Sequence, residues 1–137
     1  MSIDLGGVTT PGRKSAELLK LELECFQLPD LSGKSVLDIG AWDGYFSFAA
    51  ERLGASRVVA LDYHTWASDI IEARWDPEGR PGKRGFDIAH EALDSQVETV
   101  FADLLEIDPA ELGQFDVVLF LGVLYHTRHP LEMLERV

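Results

Sequence analysis

The sequence predicts an α/β fold, a parallel sheet with helices on its faces. Short β-rich runs alternate with helical periodicity in the order β, α, β, α, β, turn, β, α, a pattern that calls for right-handed parallel crossovers. The fourth β run, residues 115–121, is nearly all apolar, as expected of a central strand buried on both faces. A turn with spaced glycines follows the first β run, and sheets of this kind bind ligands beyond the carboxyl ends of their strands.

Residues 2–12 read as an irregular arm. Residues 13–26 read as a helix with Ala16, Leu19, Leu23 and Phe26 on one face, ended by Pro29. Residues 35–39 are the first strand. Residues 45–53 form a second helix with Phe46, Ala49, Ala50 and Leu53 inward and Gly54 placed to cap it. Residues 57–61 are the second strand. Residues 63–84 hold Trp66, Trp75, Pro77, Gly79, Pro81 and Gly82 and read as a helical turn, then a loop. Residues 85–93 are helical, with Phe86, Ala89 and Leu93 inward. Residues 97–101 are the third strand, residues 109–112 one helical turn, and Pro130 suits the first turn of a last helix. Domain organisation follows: residues 1–34 are an arm and helix, and residues 35–137 are the sheet-containing core.

The composition, 46% hydrophobic and 26% charged over 137 residues, suits one globular domain. The longest apolar run, residues 117–124, is far short of a membrane span, and no signal peptide is visible. Cys25 is the one cysteine, so an internal disulfide is impossible and a cytoplasmic setting is expected. It is read as a buried, inert helix thiol. A net charge of −12 argues against a surface made to grip phosphate backbones and favours a small-molecule partner, while leaving room for a local basic patch.

The turn after the first strand is Asp38-Ile39-Gly40-Ala41-Trp42-Asp43-Gly44. Gly40 and Gly44 permit backbone angles closed to other residues and a close ligand approach. The free N–H groups of the following helix favour an anionic ligand group. The spacing is G-x-x-x-G, which differs from the dinucleotide fingerprint G-x-G-x-x-G. Trp42 stands where a pyrophosphate would need room, and Asp38 and Asp43 would repel it. Asp62 ends the second strand, 22 residues after Gly40, where a carboxylate can accept from ribose hydroxyls. Asp103, just past the third strand, can accept from an adenine amino group.

The run Val36-Leu37-Asp38-Ile39-Gly40-Ala41-Trp42-Asp43-Gly44 resembles motif I of class I S-adenosylmethionine (AdoMet)-dependent methyltransferases. Asp62 and Asp103 match that family's acidic positions. Phe115-Asp116-Val117-Val118 and Gly122-Val123-Leu124-Tyr125-His126 resemble the fourth-strand motif of the branch related to tRNA wobble-uridine methyltransferases, as does the opening Ser2-Ile3-Asp4-Leu5-Gly6 with Thr10-Pro11-Gly12. The resemblance implies a Rossmann-like sheet with AdoMet as cofactor. Gly40 and Gly44 would border its methionine part, Asp62 its ribose, and Asp103 with Leu104 its adenine, with Asp38, Ala41 and Trp42 also among the cofactor-binding residues. The family's sheet has about seven strands and this sequence carries four, so a truncated fold is expected, with an unpaired fourth-strand edge, self-association and little or no methylation by this chain alone.

Each candidate has a structural alternative. Asp38 serves either the ligand, through water, or the following turn. Asp43 is either a neighbour of the ligand or a helix cap. Trp42 and Trp66 are cleft walls or core. His126, past the fourth strand, is the candidate catalytic base, with His129 behind it; the alternative is loop ordering with Tyr125. No metal site is expected, since no Cys/His/Asp set has zinc spacing. The expected function is transfer of a methyl group from AdoMet to a small metabolite or a tRNA uridine, with a carboxymethyl donor as a variant. The rivals are a non-catalytic AdoMet-binding module and a nicotinamide oxidoreductase, the latter disfavoured by Trp42 and the missing third glycine.

Overall fold

The computed structural model describes residues 1–67 and 82–137. The elements are α1 (Ala16–Cys25), β1 (Ser35–Ile39), α2 (Tyr45–Arg52), β2 (Arg57–Asp62), α3 (His64–Ala67), α4 (Arg84–Ala92), β3 (Glu98–Phe101), α5 (Pro109–Leu112), β4 (Val117–Leu119) and α6 (Pro130–Arg136). A short 3-10 turn, Leu124–His126, precedes α6. Trp75, Pro77, Gly79 and Pro81 lie outside the described residues.

The sheet is parallel, in the order β3-β2-β1-β4. This is the Rossmann-like architecture expected. Side chains alternate across β1 with period two. Val36 packs into one core with Val58, Ala60, Phe48 and Phe86, under α2 and α4. Leu37 and Ile39 pack into a second core with Val59, Leu61, Leu112 and Met133, under α5 and α6. Phe48 and Phe86 are fully buried, and each contributes about 2–3 kcal/mol of transfer free energy. Asp38 shares the parity of Val36 and so enters the first core.

Local signals end most elements where expected. Ser15 caps α1 by accepting from the Leu18 N–H. Past α2, the N–H of Gly54 (φ 89°) meets the Glu51 carbonyl and that of Ala55 the Ala50 carbonyl, a Schellman closure. Pro130 stands in the first turn of α6.

Four expectations need correction. Residues 2–12 are a small hairpin, closed by the Asp4–Thr9 bridge, with Gly6 and Gly7 at positive φ in its turn. It is ordered because Ile3 buries itself in the first core. The α1 stripe is mostly unburied: Leu19 alone is buried and Phe26 stays 40% exposed. Cys25 is exposed, because it sits about 120° around the helix from Leu19. Lastly, β4 is only three residues long and its Val117 and Val118 are half-buried, where a longer strand buried on both faces was expected; no described strand pairs on its far side, in line with the unpaired edge expected.

Candidate functional site

The chain runs from β1 outward to β3 on one side of the sheet and returns with β4 on the other, so strand order reverses between β1 and β4. The loops leaving β1 and β4 flank that crevice at the carboxyl ends, where a ligand is expected. The loop from β1 holds Gly40 to Gly44.

This loop is fixed from several directions. The N–H groups of Gly40 and Ala41 donate to the Leu61 carbonyl at 2.8 and 3.3 Å, and Gly44 N–H donates to the Ala41 carbonyl at 2.8 Å. Ala41 is buried. Both glycines are required by packing as well as by φ values of 77° and 82°. A Cβ on Gly40 would stand 2.5 Å from Val123 Cγ2, and one on Gly44 2.6 Å from the rings of Phe48 and Phe86. The space on the Cβ side of Gly40 is therefore filled by Val123 of the loop after β4.

Trp42 has φ 49°, an unfavourable value for a bulky residue. Both of its backbone polar groups are clamped. Its N–H donates to Asp62 Oδ2 at 2.9 Å, and its carbonyl accepts from the indole N–H of Trp66 at 2.8 Å. Trp66 is 5% exposed and packs edge-on against Phe86, with Lys83 Nζ 5.0 Å from its ring centre. Trp66 is thus part of the first core and a support for the loop, while the Trp42 side chain stays 44% exposed.

Asp62 is 4% exposed. One carboxylate oxygen accepts from Trp42 and the other from the Thr65 N–H at 3.0 Å, so each keeps a lone pair for a further donor. Asp38 has a different duty. Its buried carboxylate accepts from the Ser47 hydroxyl at 2.6 Å and from the Ser47 backbone N–H in the first turn of α2. Gly44 supplies no capping side chain, so Asp38 takes that part from the neighbouring strand. A buried acid of the protein thus lies against the helix start where an anionic ligand group was expected. Burial pushes the Asp38 carboxyl up to about 6, against the lowering effect of the Ser47 hydrogen bonds and with a further raise from the Asp62 charge. Asp43 caps no helix: it pairs with the amino group of Met1 and sits against Gly85 at the start of α4.

Past β3, Asp103 accepts from the Leu105 N–H at 2.9 Å, with His64 Nε2 at 3.9 Å. Leu104 is buried in the second core and Arg136 donates to its carbonyl at 3.3 Å. Sequence reasoning missed the aromatic group Tyr63, His64 and Phe101, whose rings meet at 5.5 Å at the ends of β2 and β3. The signal was present, since Tyr63 directly follows Asp62 and Phe101 precedes Asp103 by two. It also missed Ser47 and Val123. His126 is exposed in the 3-10 turn with its ring 4.2 Å from that of Tyr125. His129 starts α6, with Nδ1 3.8 Å from Glu132. A cavity of about 290 Å³ lies elsewhere, between Leu37, Leu112, Phe115, Val118 and Arg136. Of the proposed cofactor residues only Leu104 lines it, so the strand-end crevice is the better candidate.

The sequence profile of a methyltransferase domain matches residues 13–137. The chain belongs to that methyltransferase domain family. This methyltransferase domain is 34% identical over 108 residues to the tRNA U34 carboxymethyltransferase of Ectopseudomonas mendocina, covering 77% of this chain and 28% of that protein. It is 33% identical over 108 residues to the enzyme of the same name from Alcanivorax borkumensis, covering 78% and 29%. The chain thus spans under a third of the length of these curated relatives. Among solved structures, the N-terminal domain of EvdMO1 with S-adenosylhomocysteine bound superposes with a TM-score of 0.62 at 26% identity, covering 91% of this chain and 45% of that one. Full EvdMO1 gives 0.66 at 25% identity, covering 98% and 28%.

Proposed function

We propose that residues 35–137 bind AdoMet across the strand-end crevice and serve an AdoMet-dependent methyltransferase. The observation that carries this reading is the Gly40–Gly44 loop at the strand-order reversal, hydrogen-bonded through Trp42 to the Asp62 carboxylate. The residues suit this cofactor. Asp62 retains acceptor capacity for ribose hydroxyls, the exposed Tyr63 and Phe101 rings offer adenine an apolar wall beside Asp103, and the acidic surroundings favour a cation. A pyrophosphate suits poorly, because the buried Asp38 carboxyl lies against the start of α2. AdoMet supplies an electrophilic methyl group on a sulfonium. The chain's part is to bind and orient, which by itself supplies much of the acceleration of such a transfer. The relative with bound S-adenosylhomocysteine supports the same reading.

Two acceptor classes each have an observation in favour. The carboxymethyltransferase relatives are named for tRNA U34, and they keep a carboxymethyl donor in view as a variant. The net charge of −12 favours a small metabolite. His126 is the proposed base, reaching solvent from the loop after β4. A cytoplasmic enzyme fits either acceptor, and no helix among the described residues is long and apolar enough to cross a membrane.

Titration calorimetry with AdoMet and with NADH tests the cofactor. AdoMet should bind and NADH should bind at least tenfold more weakly; tighter NADH binding overturns the reading. The edge of β4, which no described strand covers, gives a second expectation. Unpaired edges recruit partners, so the 137-residue chain alone should self-associate in light scattering as concentration rises. A monomer throughout would show that the edge is protected.

A further inference from the structure

We infer that Trp42 is a cation-recognising aromatic that lets this site distinguish the AdoMet sulfonium from the neutral sulfur of S-adenosylhomocysteine. The inference rests on the AdoMet reading above. The loop goes to some length to hold this residue. An L residue with a large ring is kept at φ 49°, and its peptide is gripped on one side by Asp62 and on the other by Trp66. Such a conformation persists only where the surroundings fix it. Ring packing among the described residues does not account for it: the side chain is 44% exposed and no described ring–ring contact involves it. Trp66, by contrast, is buried against Phe86.

Position supplies the ligand chemistry. If Asp62 takes the ribose hydroxyls, the sulfur stands one carbon beyond the ribose ring, on the way to the methionine part along the Gly40–Gly44 loop. Trp42 is the loop residue whose own N–H touches the Asp62 carboxylate, at 2.9 Å. Trp42 carries the aromatic ring of the Gly40–Gly44 loop, and its exposed indole is the group of that loop we assign to the sulfur. Indole offers the strongest face of the natural side chains for a cation, and a sulfonium is a poorly hydrated one. The methionine ammonium is common to both ligands, so the difference between them is confined to the sulfur, its charge and its methyl group; the weaker face of phenylalanine at position 42 separates ring quality from simple bulk. Trp66 and Asp62 act as positioning residues for the ring.

Calorimetry with AdoMet and S-adenosylhomocysteine on wild type, Trp42→Phe, Trp42→Leu and Trp66→Phe tests this, with circular dichroism to check the fold. In Trp42→Leu, AdoMet affinity should fall about tenfold and S-adenosylhomocysteine affinity less than about threefold. Trp42→Phe, with a weaker face, should give an intermediate ratio, and it decides the matter if the leucine variant does not fold. Trp66→Phe keeps the supporting ring but loses the N–H on the Trp42 carbonyl, and should also lower the preference for AdoMet. Equal losses of both ligands at position 42, or no loss, overturn the inference. Failure of wild type to bind either ligand would instead overturn the cofactor reading on which it rests.

Discussion

Asp38→Asn should stabilise the protein at pH 8 by about 1–3 kcal/mol and change it little near pH 3.5. Asp38 is buried, and its carboxyl is raised from 3.8 to about 6. The folded state thus holds this proton more tightly than the unfolded chain does. The stability it contributes is fully present below 3.8 and is lost as pH rises through about 6, where a charge must exist in the first core. Asparagine is neutral throughout, and its carbonyl can still accept from Ser47. Other acids run the opposite way. Backbone and hydroxyl donation from Ser35 holds Asp116 below its ordinary range, and hydrogen bonding to Arg57 does the same for Glu98, so what each adds to folding is present above its ordinary range and is lost as pH falls through its lowered folded value. Those effects are common to both proteins and cancel in the difference. Denaturant titrations of wild type and variant at pH 3.5, 5, 6.5 and 8 would show the gap opening between 3.8 and 6. A gap that stays flat with pH would mean that the Asp38 carboxyl titrates alike in the folded and unfolded states, with no penalty for its charge in the core.

Asp62→Ala should weaken AdoMet binding by about 1–3 kcal/mol, the loss expected when hydrogen-bond partners go unmatched. A strand-end carboxylate looks expendable to the fold on sequence grounds. The structure adds a second effect, because removal also strands the N–H groups of Trp42 and Thr65. Stability should fall by about 1–3 kcal/mol as well, and the loop should loosen. Ribose contact is separated from loop support by an AdoMet analogue lacking both ribose hydroxyls. If Asp62 holds the ribose, wild type should lose affinity for the analogue and Asp62→Ala should not, giving a coupling energy in the double cycle. Equal losses in both proteins would leave Asp62 as a loop support alone.

Much of this protein was determined by the sequence itself. The strand and helix order, the single turn of α5, the start of α6 at Pro130 and the glycine after α2 all follow from signals within a few residues of each other. Asp62 at the end of β2 and the spaced glycines after β1 are equally local, and they suffice to locate the crevice. The tertiary structure decided which groups those residues meet. Asp38 became the cap of α2 because strand parity turns it toward Ser47, nine residues away. Asp43 lost its capping role to a contact 42 residues distant, at Met1, and Asp62 gained a structural one 20 residues back, at Trp42. Gly40 met Val123 only because β4 pairs with β1. Cys25 stayed exposed because α1 touches the core through one stripe, centred on Leu19. Backbone propensity and side-chain period are written over a single turn or strand and can be read there. A hydrogen-bond partner or a packing neighbour is set by which segments the sheet brings together, and no local pattern records it.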